Sequence, residues 1–289
     1  MAYPGFTLLD GDVPQFGVSA FDSRPLFPSQ GWQLCHPASG NPPDSCSTFQ
    51  PAWTDIWITN HIFQAVLGAI IVIAFWLIVT NKMRVVPSKV QWAGEYLYNM
   101  LRNGVARDLI GPTYHKYVPF LVAMFSFIII NNLFGEFFVT MFPTFSKVGF
   151  AWGLALLTYI LYNAVGIKKH GVLGYLKLMT VPEGVKFPII LLIAPLEFFS
   201  NFITRPITLG LRLFANLFAG HLLVMIFVVG GTWLVTYTNN NPLYNVTGAF
   251  ALIFSFAIFA LELLVAFLQA YVFTILTASY VAAAEADSH

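Results

Sequence analysis

The chain has 289 residues, of which 57% are hydrophobic and only 9% charged, whereas an ordinary soluble domain carries roughly 25% charged residues. There is too little polar surface to cover a water-soluble globule. The 14 Lys and Arg against 13 Asp and Glu also leave no clustered basic surface for nucleic acid, so composition places the chain in a membrane.

The N-terminal stretch is polar and Pro-rich, and in residues 1–25 no basic stretch leads into an apolar core as in a secretory signal. Cys35 and Cys46, the two cysteines of the chain, are too few for a disulfide scaffold or a zinc site; whether they pair with each other is left open. We expect residues 1–55 to form an extracytoplasmic segment and residues 56–289 a membrane domain.

A spanning helix needs about 20 largely apolar residues. Residues 56–81, 117–135 and 148–167 supply this without a single Asp, Glu, Lys or Arg. Between the first two, Val90, Ala93, Leu97, Met100, Leu101 and Val105 recur at helical spacing with Lys89, Glu95, Arg102 and Arg107 among them. Residues 88–108 therefore read as an amphipathic helix on one membrane face, or as a connector packed on the other helices.

From Phe187 to Ala284 the chain is apolar except for Glu197, Arg205, Arg212, His221 and Glu262. The Asn run and Pro242 within 237–245 mark a turn, leaving helical segments at 185–236 and 246–283. The fold expected is thus all-α and integral to the membrane. It has five transmembrane helices and a cytoplasmic-face amphipathic helix, and its last two helices form a long tilted hairpin. Lys and Arg concentrate in 82–116 and 168–186, which predicts an outer N-terminus and an inner C-terminus. No internal repeat of the kind common in secondary transporters is present.

Ionisable groups within apolar spans cost at least ~2.5–3.5 kcal/mol each at the helix centre and tend to line a water-filled path or face a partner. Glu136 and Glu197 stand near span ends, and Arg205 is long enough to snorkel. Arg212 lies deeper and is the first candidate. Ser200, Thr204, Thr208, Arg212 and Asn216 follow at intervals of four and so form one drifting polar ridge on a helix; hydroxyls bonding back to their own helix are the alternative reading. Glu262 and Gln269, seven apart, share a face of the last helix. A hairpin centred at about residue 241 sets Arg212 level with Gln269, and His221 level with Glu262. A His beside a carboxylate can hold or pass a proton near neutral pH; a satisfied buried histidine is the alternative.

The segments PITLGLRLFANLFAGH, residues 206–221, and ELLVAFLQAY, residues 262–271, closely resemble the two signature segments of subunit a of the F-type ATP synthase. PLEFFSNF, residues 195–202, fits the same family, and the spacing around FFSN resembles actinobacterial versions. The resemblance implies that Arg212 is the family's essential arginine, with Asn216 and Gln269 as polar neighbours and His221 with Glu262 in the outer half-channel. It extends with less specificity to Asn132 and Glu136 on the outer path, and to Glu197, Ser200, Thr204 and Thr208 on the inner one.

The partners it implies are a c-subunit ring, b subunits, the rest of the Fo/F1 assembly, the bilayer of a bacterial cell membrane and protons. No nucleic acid, cofactor or metal is expected. Nor is catalysis by this chain, since nucleotide chemistry belongs to the soluble head. Three rival classes fit less well: a haem-binding cytochrome subunit would need several His within the bundle, where only His221 lies well inside a span; a solute transporter lacks the repeat; and a membrane scaffold leaves the intramembrane charges unexplained. The choice between H⁺ and Na⁺ lies largely in the ring, and H⁺ is the default.

Overall fold

The computed structural model describes residues 60–81, 83–136, 144–180, 189–236 and 242–286. The segment 1–55, with Cys35 and Cys46, lies outside the described residues. Among the described residues every regular element is helical, and five helices are long and apolar enough to cross a membrane. In chain order they comprise α1 (Asn60–Asn81), α2 (Lys89–Leu101), α3 (Asp108–Ile110), α4 (Val118–Glu136), α5 (Val148–Thr180), α6 (Ile190–Phe199), α7 (Arg205–Thr236) and α8 (Pro242–Glu285). A π-helical turn, Arg102–Arg107, follows α2, and a second, Ser200–Thr204, joins α6 to α7 into one long span.

Large apolar side chains remain exposed along α1 and α8, among them Leu77 at 62% and Phe256 at 76%. Water would penalise such a surface, whereas hydrocarbon matches it. α4 stands in the middle of the bundle, with Leu121, Phe125 and Ile128 fully buried. Phe125 meets Phe267 of α8 edge to face, with ring centroids 5.9 Å apart. Small residues permit close approach elsewhere: a Cβ on Gly210 of α7 would stand 3.3 Å from the Ala155 Cβ on α5.

Four boundaries and faces differ from the expectation. The last helix begins at Pro242 rather than at 246, because a proline at the first helical position gives up an N–H that has no partner there. α5 continues past 167 to Thr180 and bends at Gly171, whose φ of 73° favours glycine. Lys168 and Lys169 thus mark the end of the apolar run and not of the helix. In α2 the buried face is Gln91, Gly94 and Leu101, while Val90 is 47% exposed and Ala93 is exposed. At Gly94 α1 presses close, since a Cβ there would stand 2.7 Å from a methyl of Val79.

The fourth difference lies before α7. Pro206 has no N–H, and the backbone resolves this by widening one turn, so that the Arg205 N–H bonds to the Ser200 carbonyl five residues back. Continued to Pro206, that spacing leaves the Asn201 carbonyl without a backbone donor. The Tyr162 hydroxyl of α5 donates to it instead, at 3.3 Å.

α7 and α8 pack as an antiparallel hairpin along their length. Phe227 meets Phe254 with centroids 5.2 Å apart, and a Cβ on Gly248 would stand 2.9 Å from the Gly231 carbonyl oxygen. The far end of α8 is tied down. Ala278, Val281 and Ala284 are fully buried, Glu285 accepts from the Thr113 hydroxyl at 2.6 Å, and Lys169 donates to the Glu285 carbonyl.

Candidate functional site

One cleft gathers five of the residues singled out in the sequence. Asn132 and Glu136 of α4, Asn216 of α7, and Glu262 and Gln269 of α8 all line it, with Leu217, Val265 and Ala266 as its apolar walls. α4 contributes because Asn132 and Glu136 lie four apart, on one face of the helix. Glu262 and Gln269 are buried, at 8% and 4% exposure, and Asn132 is wholly so. Asn132 donates to the Ala266 carbonyl at 3.2 Å, and its own side-chain oxygen has no partner among the described residues. Asn216 donates to the Gln269 Oε1 at 2.7 Å, while the Gln269 Nε2 is buried and unpartnered among the described residues. Buried polar groups of this kind ask for a hydrogen-bond partner such as water, because each one left unmet costs about 1–3 kcal/mol.

The hairpin register follows the expected level with one refinement. Gln269 bonds to Asn216, one turn outward of Arg212 on the expected orientation, rather than standing opposite the arginine itself. Glu262 presses on Gly220, where any Cβ would overlap its carboxylate. His221 is the next residue and is half-buried. The acidic and imidazole groups thus occupy one level of the hairpin, with the glycine forming the seat of the carboxylate.

Arg212 lies on the exposed side of α7, flanked by exposed Leu211, Ala215 and Asn216. Small and apolar neighbours around one guanidinium make a surface that another helix can approach closely. On α8, Leu261, Leu264 and Leu268 are exposed.

The inner candidates do not line this cleft. Thr204 and Thr208 are exposed, and their hydroxyls bond back to the carbonyls of Phe199, at 3.4 Å, and Thr204, at 2.9 Å. Glu197 is half-buried and accepts from the Asn201 amide at 3.1 Å. Ser200 leaves the ridge: it is half-buried while Thr204, Thr208, Arg212 and Asn216 are exposed. The π-helical turn that Pro206 imposes breaks the spacing of four on which the ridge was drawn.

The sequence reading missed a second buried polar group near the N-terminal end of α1. His61, Gln64, Asn131 and Thr144 are 4% exposed or less. Gly68 receives the Asn131 side chain, whose amide would lie 2.6 Å from a Cβ there. Thr144 donates to Asn131 at 3.0 Å, and both amide atoms of Gln64 are buried without a partner among the described residues. Asn131 adjoins Asn132, so α4 carries polar contacts to α1 on one side and to the cleft on the other. The signal was present in the spacing of His61, Gln64 and Gly68, which form one stripe at intervals of three and four. Its uncharged members escaped a search restricted to charge.

Comparison with known proteins bears on this geometry. The sequence profile of the family described as ATP synthase A chain matches residues 62–282. The chain is 45% identical over 253 residues to ATP synthase subunit a of a Nocardioides species, covering 88% of this chain and 91% of that one. It is 45% identical over 233 residues to ATP synthase subunit a of Pseudarthrobacter chlorophenolicus, covering 80% and 86%. It is 33% identical over 246 residues to ATP synthase subunit a of Streptomyces lividans, covering 83% and 86%.

Proposed function

Because the chain belongs to the ATP synthase subunit a family, a multi-pass component of the membrane sector, we propose that it is the fixed proton path of that sector and holds Arg212 against a rotating ring of c subunits. The observation that carries this reading is the cleft of Asn132, Glu136, Asn216, Glu262 and Gln269, set beside an arginine on an exposed face of small and apolar side chains.

In this reading the N-terminus is outside and the cleft is the outer half-channel. A proton reaches Glu262 and His221 from the outer side, by way of Glu136, Asn132 and the polar stripe of α1. It passes along the level of Gln269 and Asn216 to a carboxylate of the ring, which becomes neutral and can turn into lipid. After nearly a full turn the ring carboxylate releases its proton inward, past Thr208 and Thr204. The guanidinium of Arg212 cannot lose its proton, so it relays nothing. It draws the deprotonated ring carboxylate to itself and blocks a direct leak between the two half-channels. Each proton crossing 100 mV contributes ~2.3 kcal/mol, so several are needed for each ATP made on the soluble head, where the nucleotide chemistry resides.

The test is passive proton conduction by the membrane sector in vesicles. Glu262→Gln keeps the shape but cannot give up or take up a proton at that atom, and conduction should fall about tenfold or more. Unchanged conduction would remove Glu262 from the path.

A further inference from the structure

Arg205, the other arginine of α7, turns toward α8. Its guanidinium carbon lies 5.2 Å from the centre of the Tyr280 ring on α8. Tyr280 meets Tyr162 of α5 edge-on, with centroids 5.7 Å apart. Tyr175 returns to the same region because the chain bends at Gly171, and its ring rests on Gly166, where a Cβ would overlap it. The Nη1 of Arg205 and the Tyr175 hydroxyl are buried without a hydrogen-bond partner among the described residues.

Among the described residues, none of the groups around Arg205 neutralises it. α5 offers Tyr162 and Tyr175 and α8 offers Tyr280, all phenols that are neutral near pH 7. Glu197 of α6 stands eight residues before Arg205, about 12 Å along the helix, and accepts from the Asn201 amide; the other arginine of α7, Arg212, is a like charge. Aromatic faces hold a guanidinium in place through their quadrupole while leaving its net charge intact. Arg205 is therefore a permanent cation at a defined place, about 10.5 Å along the helix from Arg212 and on the side assigned above to proton release.

We propose that Arg205 is an electrostatic gate of the inner half-channel, a tyrosine-caged cation that favours loss of protons from ring carboxylates to the inside and opposes their re-protonation from there. The proposal rests on the proton-path reading. A fixed unit charge about 10 Å away, at an effective dielectric of about 20, lowers the proton affinity of a carboxylate by about one pH unit. The gate thus biases the complex toward synthesis and against ATP-driven pumping, whose loading step takes protons from inside.

The experiment uses the whole complex in vesicles and measures ATP-driven pumping against the pH on the inner, loading side. Arg205→Gln should move the midpoint of pumping upward by about one pH unit, and Arg205→Lys, which keeps the charge, should leave it near the wild-type value. A role confined to folding would lower the rate of every variant without moving the midpoint. An unmoved midpoint in Arg205→Gln overturns the proposal. Should that variant fail to assemble, Tyr280→Leu, which frees the cation from its ring, must move the midpoint in the same direction by less, and no movement overturns the proposal equally. Failure of the wild-type complex to pump at all would instead defeat the proton-path reading.

Discussion

A carboxylate buried between two apolar helices has to be seated, and here the seat is a missing side chain. Gly220 leaves the space that Glu262 fills, and any larger residue collides with the carboxylate itself. Gly220→Ala must therefore displace Glu262 or push the helices apart, at an overpacking cost of about 1–3 kcal/mol. Proton conduction by that variant should fall about tenfold in complexes that still assemble. Shortening the acid restores room, so Gly220→Ala with Glu262→Asp should conduct better than Gly220→Ala alone. If the single variant conducts like the wild type, or the second change brings no recovery, Gly220 does not seat the acid. The same constraint explains why Glu262 stands beside Gly220: the hairpin closes on a residue with no side chain.

At the scale of an element, the junction between α6 and α7 shows how one residue re-aims a helix. Pro206 withholds an N–H, the preceding turn widens, and the Tyr162 hydroxyl reaches across from α5 to the Asn201 carbonyl. Tyr162 also contacts Tyr280, which holds Arg205, so the backbone irregularity and the caged cation share a partner. The two substitutions should therefore not be additive. Tyr162→Phe removes the donor and should cost about 1 kcal/mol in a denaturation series on the purified chain in detergent. Pro206→Ala returns a backbone N–H to the same carbonyl, and in that background Tyr162→Phe should cost markedly less. Equal costs in both backgrounds would mean that the hydroxyl does not replace the missing backbone donor.

At the scale of the molecule, the sequence was most legible where length and apolar content decide. The five long helices and the hairpin depend on runs of 19 residues or more, and such runs need no tertiary information. The level of the cleft was legible too, because Glu262 and Gln269 had to lie on one face and an antiparallel pair has one free register. What could not be read came from backbone irregularity and from neutral polar residues. The π-helical turn at Ser200–Thr204 removed Ser200 from a ridge drawn at constant pitch. The bend at Gly171 carried Tyr175 back toward Arg205. Gln64 and Asn131 carry no charge and became visible only as buried amides.

Arg212 was the residue whose position in the sequence pointed most directly to function, and the structure sets it on an exposed face beside the cleft. The proposed role needs a planar, weakly hydrated cation that stays charged, and a lysine keeps the charge but neither the planarity nor the weak hydration. The most direct measurement is ATP synthesis by the whole complex, reconstituted in vesicles and driven by an imposed proton gradient, with Arg212→Lys. The account predicts a complex that assembles, retains ATP hydrolysis on its soluble head, and makes no ATP from the gradient. Synthesis at the wild-type rate would contradict it.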